Sequence, residues 1–207
     1  AVIGGGVSVL RAVFDLLEVD EMQVAQGALR HGALYDLLDR EHEQTDLRST
    51  SVNRLAKKFN VDATQARRVS RIARHFLQQL MPGMAPAESV HTMRKLDWAA
   101  QLHEIGSLIS HSDYHKHGAY ILDNADIPGF SMPELHRLGL LVLGHRGKLR
   151  KLDVDFDDVV FVKQLLALRI AIILCHARRS PDLQGVSVVC QSEISKQLIL
   201  NCDADWV

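Results

Sequence analysis

Aromatic side chains are scarce, at 5% of 207 residues, so Leu, Ala and Val must supply most of the core. Cysteine is limited to Cys175, Cys190 and Cys202. Their odd number, wide spacing and lack of any C-x-x-C argue against a disulfide frame or a zinc site and for three reduced thiols. Charge of one sign is not in surplus: the formal net charge is −1. No bulk field draws the chain to nucleic acid or to an anionic membrane, and any anion must be held by a local patch. No apolar run reaches the roughly 18 residues of a membrane helix. The nearest, residues 165–175, is interrupted by Arg169. Residues 1–18 carry neither a basic n-region nor a cleavage site, which excludes a signal peptide there. Gly-x-Ser-x-Gly, a Walker loop and His-Glu-x-x-His are all missing.

What is present is an ordinary globular balance, 47% hydrophobic and 24% charged. This excludes intrinsic disorder and is enough for one or two domains with a real core. Both ends read as cut, Ala1-Val2-Ile3 running straight into Gly4-Gly5-Gly6 and the chain stopping at Asp205-Trp206-Val207. The expectation is a fragment of a longer protein.

Periodicity predicts a helix over residues 7–18, a short strand over 22–25 and a helix over 28–39, a piece of an α/β layer. Residues 40–50 are polar and unpatterned and read as a linker. Helix then follows helix: 51–60, 62 to about 80, 91–109, 114–124, about 132–145 and 158–178. Asp62 with Gln65 three residues on reads as a capping box, and Ser131-Met132-Pro133-Glu134 is a strong start signal. The mostly apolar 158–178 segment is expected at the bundle centre. Two short strands, 186–190 and 197–201, form a hairpin at the end. The fold class is therefore mainly α. The domain reading is residues 1–44 as an α/β remnant, 45–180 as a helical domain and 181–207 as a small β segment.

Histidine is the anomaly. Six of eleven lie between 103 and 145: His103, His111, His115, His117, His136 and His145. Imidazole suits transition metals and titrates near neutrality. His111 and His115 would share a face if their segment were helical. The remaining histidines, with Phe76 and Trp98, read as surface or core. Two basic clusters also stand out. Arg67, Arg71 and Arg74 fall on one helix face, read as solvated or as an interface. Arg146, Lys148, Arg150 and Lys151 crowd a loop beside His145, and Arg178 and Arg179 end the long helix. Each could hold a polyanion or simply face water, the last pair answering the helix dipole.

The texts His103-Glu104-Ile105-Gly106, His117-Gly118-Ala119-Tyr120-Ile121-Leu122 and Gly144-His145-Arg146 resemble a degenerate HD-type domain. HD domains are helical, metal-dependent phosphohydrolases built on a helix-borne His, a His-Asp pair and a distant Asp. The resemblance matches His103 to the pair's His. It puts Glu104 in place of the Asp, Gln65 in place of the first His and Arg169 in place of the distant Asp. A guanidinium for a carboxylate turns a cation site into an anion site, so a metal-free descendant is expected, with no metal in this chain.

The wider text resembles the exopolyphosphatase and guanosine pentaphosphate phosphatase family. Gly4-Gly5-Gly6-Val7 and Gly27-Ala28-Leu29-Arg30 to Leu38 look like the end of its actin-like, sugar-kinase-like catalytic module. Residues 97–130 look like its C-terminal helical region. The resemblance implies a bacterial, cytoplasmic hydrolase that releases orthophosphate from inorganic polyphosphate. It leaves contact with the inner membrane open. The magnesium site and catalytic groups would lie in the N-terminal half, so this chain alone is expected to be inactive. It implies polyphosphate binding by His145, Arg146, Lys148, Arg150, Arg169, Arg178 and Arg179, a phosphate-loop remnant at Gly4, Gly5 and Gly6, a degenerate HD-like motif at His103, Glu104 and His117, and a homodimer. Alternatives are the guanosine pentaphosphate phosphohydrolase of the same family, a helical dimerisation module without a ligand, and a live HD centre.

Overall fold

A computed structural model describes residues 2–18, 47–192 and 197–203. The chain divides into two compact units, residues 1–45 and 46–207. The described part of the first is helix α1, Val2–Leu17. It contains the helix expected from residue 7 and extends it back through Gly4, Gly5 and Gly6. These glycines are thus helical residues and not a phosphate-cradling turn. The strand and helix expected over 22–39 lie outside the described residues.

The second unit is a helical bundle: α2 Leu47–Lys58, α3 Ala63–Leu80, α4 Pro86–Leu102, α5 Tyr114–Asn124, α6 Met132–Gly144 and α7 Val159–Leu174. Its fold is mainly α. The linker expected up to residue 50 therefore ends earlier, because α2 already begins at Leu47. In α3 the buried residues Ala66, Val69, Ala73, Phe76 and Leu80 recur at helical spacing and form one stripe. That stripe packs on α4 and α7, while α5 packs on α6. One continuous core results.

Caps explain most of the boundaries. Asp62 accepts from the backbone N–H groups of Thr64 and Gln65, at 2.8 and 3.1 Å. Gln65 does not complete the expected box. Its amide is buried and donates to the carbonyl of Cys175 at 2.9 Å, tying α3 to the end of α7. At α6 the box does form, the backbone N–H and hydroxyl of Ser131 both donating to Glu134. Asp158 accepts from Phe161 N–H at 2.9 Å and opens α7.

Two helices end sooner than periodicity suggests. The helix expected over 91–109 is α4, starting with Pro86 in its first turn and ending at Leu102, followed by a 3₁₀ turn, Ile105–Leu108. The reason lies at Gly106, where a Cβ would sit 2.0 Å from the Tyr114 carbonyl and 2.5 Å from the Gly118 nitrogen. The backbone of α5 crosses there, and an α-helix carrying side chains could not continue beneath it. Helix α7 stops at Leu174 with Cys175 as its C-cap, and the chain turns away at Arg178, whose φ is 55°. It packs against α3, α4 and α6, as a central element should. Its buried Gln164 donates to Thr92 O on α4 at 2.8 Å.

The two strands pair antiparallel, β1 Ser187–Ser192 with β2 Gln197–Asn201, Val188 opposite Leu200, with an irregularity between Cys190 and Ser192. Val186 and Val188 are buried, and Val188 N–H donates to the Gln79 side chain at 2.8 Å, fastening the hairpin to α3.

Candidate functional site

Three buried imidazoles meet where α4, α5 and α6 end or begin. His103 caps the C-terminus of α4, and its Nδ1 lies 2.7 Å from the Ala100 carbonyl. His145 caps α6 in the same way, Nδ1 to Val142 O at 2.5 Å. A carbonyl only accepts, so each Nδ1 carries the proton and each Nε2 is left with a lone pair when neutral. The His103 and His145 rings stand edge to face with centroids 5.7 Å apart, and His115 lies 6.1 Å from His145. The Tyr114 hydroxyl donates to His145 Nε2 at 3.3 Å. Arg146 covers the Tyr114 ring at 5.3 Å, a cation–π contact.

Burial dominates the electrostatics. It pushes His103, His115 and His145 below the ordinary histidine value, His145 furthest. For His103 the Glu104 carboxylate, 4.0 Å from Nε2, pulls the other way without overcoming burial. For His115 the cations of Arg146 and Lys116 add to burial, against Asp113. Burial also raises the Tyr114 phenol. At neutral pH the cluster is thus neutral imidazole and phenol.

The loop after α6 is organised by Arg169. Its guanidinium donates to the carbonyls of Gly144 at 2.6 Å and Gly147 at 3.0 Å. Gly147 has a φ of 82°, and the loop turns back at that point. With those carbonyls occupied, the loop presents Arg146 and Lys148 to a cavity of about 530 Å³ that Lys116, His115 and Asp113 also line. His115 Nδ1 is buried and has no hydrogen-bond partner.

The positions of the HD pattern are not free to ligate a cation. Glu104 is held by Arg178 at 3.0 Å, Gln65 by Cys175 O, and Arg169 by two carbonyls. Three of the four positions of the HD pattern are thereby committed to internal hydrogen bonds, two of them to or by guanidinium groups. Among the described residues no group of three or more His, Cys, Asp or Glu is placed to hold a metal.

Of the residues singled out by sequence, His103, Glu104, His115, His145, Arg146, Lys148 and Arg169 are brought to this region, and Arg178 reaches its edge through Glu104. Arg178 is paired with Asp62 at 2.7 Å as well as with Glu104, so its charge is compensated. Arg150 and Arg179 are exposed and line neither the histidine cavity nor the groove described below. His117 sits at the crossing of α5 over Gly106, and His115 takes the place expected for it in the cluster. His111 precedes α5 and shares no helix face with His115. Tyr114 was not singled out. Its sole signal is its position at the start of α5, one residue before His115.

Comparison with known proteins adds to this geometry. The family model described as Ppx/GppA phosphatase, domain III, matches residues 47–207. The chain belongs to the Ppx/GppA phosphatase family. Similar curated proteins carry the name guanosine-5'-triphosphate,3'-diphosphate pyrophosphatase. One, from Pseudoalteromonas translucida (strain TAC 125), is 34% identical over 208 residues, which is 98% of this chain and 40% of that protein. One from Vibrio atlanticus (strain LGP32) is 35% identical over 185 residues, 88% of this chain and 37% of the relative. One from Vibrio vulnificus (strain YJ016) is 33% identical over 208 residues, covering 100% of this chain and 41% of the relative. The chain thus spans about two fifths of the length of these Ppx/GppA relatives. Among the described residues no helix is long and apolar enough to cross a membrane.

Proposed function

We propose that this chain is the helical C-terminal part of a guanosine pentaphosphate phosphohydrolase, and that its histidine pocket grips the substrate's phosphate chain. The single observation carrying the grip is the pocket itself. Arg146, Lys148 and Lys116 converge on one cavity, and His115, whose buried Nδ1 has no partner, lines the same cavity. The names of the relatives favour the nucleotide over inorganic polyphosphate, which displaces the exopolyphosphatase reading to second place.

Hydrolysis adds water to the terminal phosphorus and breaks the bridging P–O bond, so that orthophosphate departs and the nucleotide keeps the shortened chain. The step needs a base and a cation clamp on the developing charge. In this reading those groups, and the magnesium ion, belong to the rest of a protein of the relatives' length. The residues here contribute affinity and position. Cytoplasmic location and pairing as a homodimer follow from the family resemblance alone.

The test uses the full-length enzyme with Arg146→Glu and Lys148→Glu together. The expected result is a KM for guanosine pentaphosphate raised about tenfold or more with kcat little changed, the pattern of lost uniform binding. The unmodified enzyme should have a higher kcat/KM for the nucleotide than for long-chain polyphosphate. A preference for polyphosphate restores the exopolyphosphatase reading. An unchanged KM sinks the grip and favours a domain that only dimerises.

A further inference from the structure

A second cavity, larger than the histidine pocket, shares no lining residue with it. It is a groove of about 860 Å³ between α2, α3 and α4. Its walls carry Lys57 from α2 and Arg67, Arg71 and Arg74 from α3, against one carboxylate, Asp97 of α4. All four cations are exposed. The face read from sequence as solvated or as an interface is one wall of a concavity.

The pairing pattern shows how much of this charge is compensated. Several other arginines meet carboxylates: Arg48 with Glu134, Arg137 with Asp158, Arg178 with Asp62 and Glu104. In the groove only Arg74 does, at 2.8 Å from Asp97, which also accepts from Ser70 at 2.6 Å. Arg71 donates to the hydroxyl of Ser180 at 3.0 Å, and Arg67 to that of Thr64 at 3.5 Å. Neutral partners leave both charges uncompensated, and among the described residues no carboxylate pairs with Lys57. In a chain of net charge −1, three uncompensated cations on one concavity are not a general surplus.

Spacing defines the ligand. Arg67, Arg71 and Arg74 lie along one face over about 10 Å of helix axis. Guanidinium forks spread over that length match successive phosphoryl groups better than one compact anion. Gln78 lines the groove beside them and supplies a further donor, whereas the Ser70 hydroxyl is spent on Asp97. The geometry points to this groove as a second anion site, for a phosphate chain, independent of the histidine pocket. The chain could be inorganic or carried by a nucleoside, and both share the chemistry that the groove reads.

The experiment is calorimetric titration of the 207-residue chain with inorganic tripolyphosphate and, separately, with guanosine 5'-triphosphate, at low and high salt. The double variant Arg67→Glu, Arg71→Glu should lose at least about tenfold in affinity for tripolyphosphate, and its salt slope should fall by about two. The variant Arg146→Glu, Lys148→Glu should keep the groove's binding, so failure of the histidine-pocket grip is read separately. Tighter binding of the nucleotide than of tripolyphosphate assigns the site to nucleosides, and equal binding assigns it to the phosphates alone; either supports the site. If the charge reversals disturb the thermal unfolding curve, Arg67→Gln with Arg71→Gln replaces them. Wild-type affinity in a folded double variant overturns the inference.

Discussion

Arg178 donates to Glu104 at 3.0 Å while its other terminal nitrogen donates to Asp62 at 2.7 Å. One guanidinium thus joins the N-cap of α3 to the residue beside the buried His103. It also neutralises the carboxylate that the HD-like resemblance puts in place of a metal-ligating Asp. Arg178 is about half exposed, so the pair adds on the order of 1 kcal/mol or less to stability. The guanidinium also acts on His103, as the weakest of the influences there, after burial, Glu104 and the Ala100 carbonyl. Arg178→Ala should raise the His103 titration midpoint, because a nearby cation that disfavours imidazolium is gone. Glu104→Gln should lower it. Proton NMR titration of both variants checks the pair, and an unmoved His103 in both contradicts the arrangement.

Acid sensitivity near neutrality follows from the cluster. His103, His115 and His145 have folded values below the unfolded value of about 6.5. Below 6.5 the unfolded chain therefore binds more protons than the native chain. The stability contributed by these neutral imidazoles is intact above that pH and is lost as pH falls toward the folded values. The slope reaches about 1.4 kcal/mol per pH unit for each histidine. Thermal unfolding midpoints should drop between pH 7 and pH 5, and His145→Gln should flatten the fall. A level profile across that window would show that the imidazoles are not held neutral.

Gly106 should not tolerate any side chain. The atoms a Cβ would strike are the Tyr114 carbonyl and the Gly118 nitrogen, both backbone, at 2.0 and 2.5 Å. Neither can rotate away, so Gly106→Ala should cost about 3 kcal/mol or more in urea unfolding, at the upper end for overpacking. Gly83 is a contrast: its φ is 84° but nothing lies within 4 Å. Gly83→Ala should cost only about 1 kcal/mol, from left-handed strain alone.

Arg169 should matter by holding the loop's shape. Arg169→Ala frees the carbonyls of Gly144 and Gly147, which should speed amide hydrogen exchange across 145–148. Arg169→Lys keeps the charge but not the planar fork, and should restore less than half of the protection. Equal protection in wild type and Arg169→Ala would mean that the loop holds its shape unaided.

Much of the local structure was legible. Ser131 and Glu134 announce α6 because a capping box satisfies backbone donors within four residues. The α3 stripe announces itself because burial repeats with the helical period. Where reading failed, a distant segment intervened. Gln65 looked like a cap and became a tether to Cys175, 110 residues away. The helix expected through Ile109 ends at Leu102, since α5 crosses at Gly106.

The same division runs through the two candidate sites. The sequence by itself determined a mainly helical unit, most of its caps, the basic loop around Arg146 and the arginine face of α3, all matters of spacing and propensity. It also carried His145 at a helix end, whereas His103 was expected inside a helix running to 109 and became a cap only because that helix stops at Leu102. Tertiary structure alone decided which charges stay uncompensated. Folding brought Asp62 and Glu104 to Arg178, and set Lys57 and a single Asp97 against three arginines. It also placed Tyr114 and His115 against His145. Those outcomes depend on contacts between residues tens of positions apart, and the energy of a charge is set by whatever packing brings beside it and by how much water packing removes.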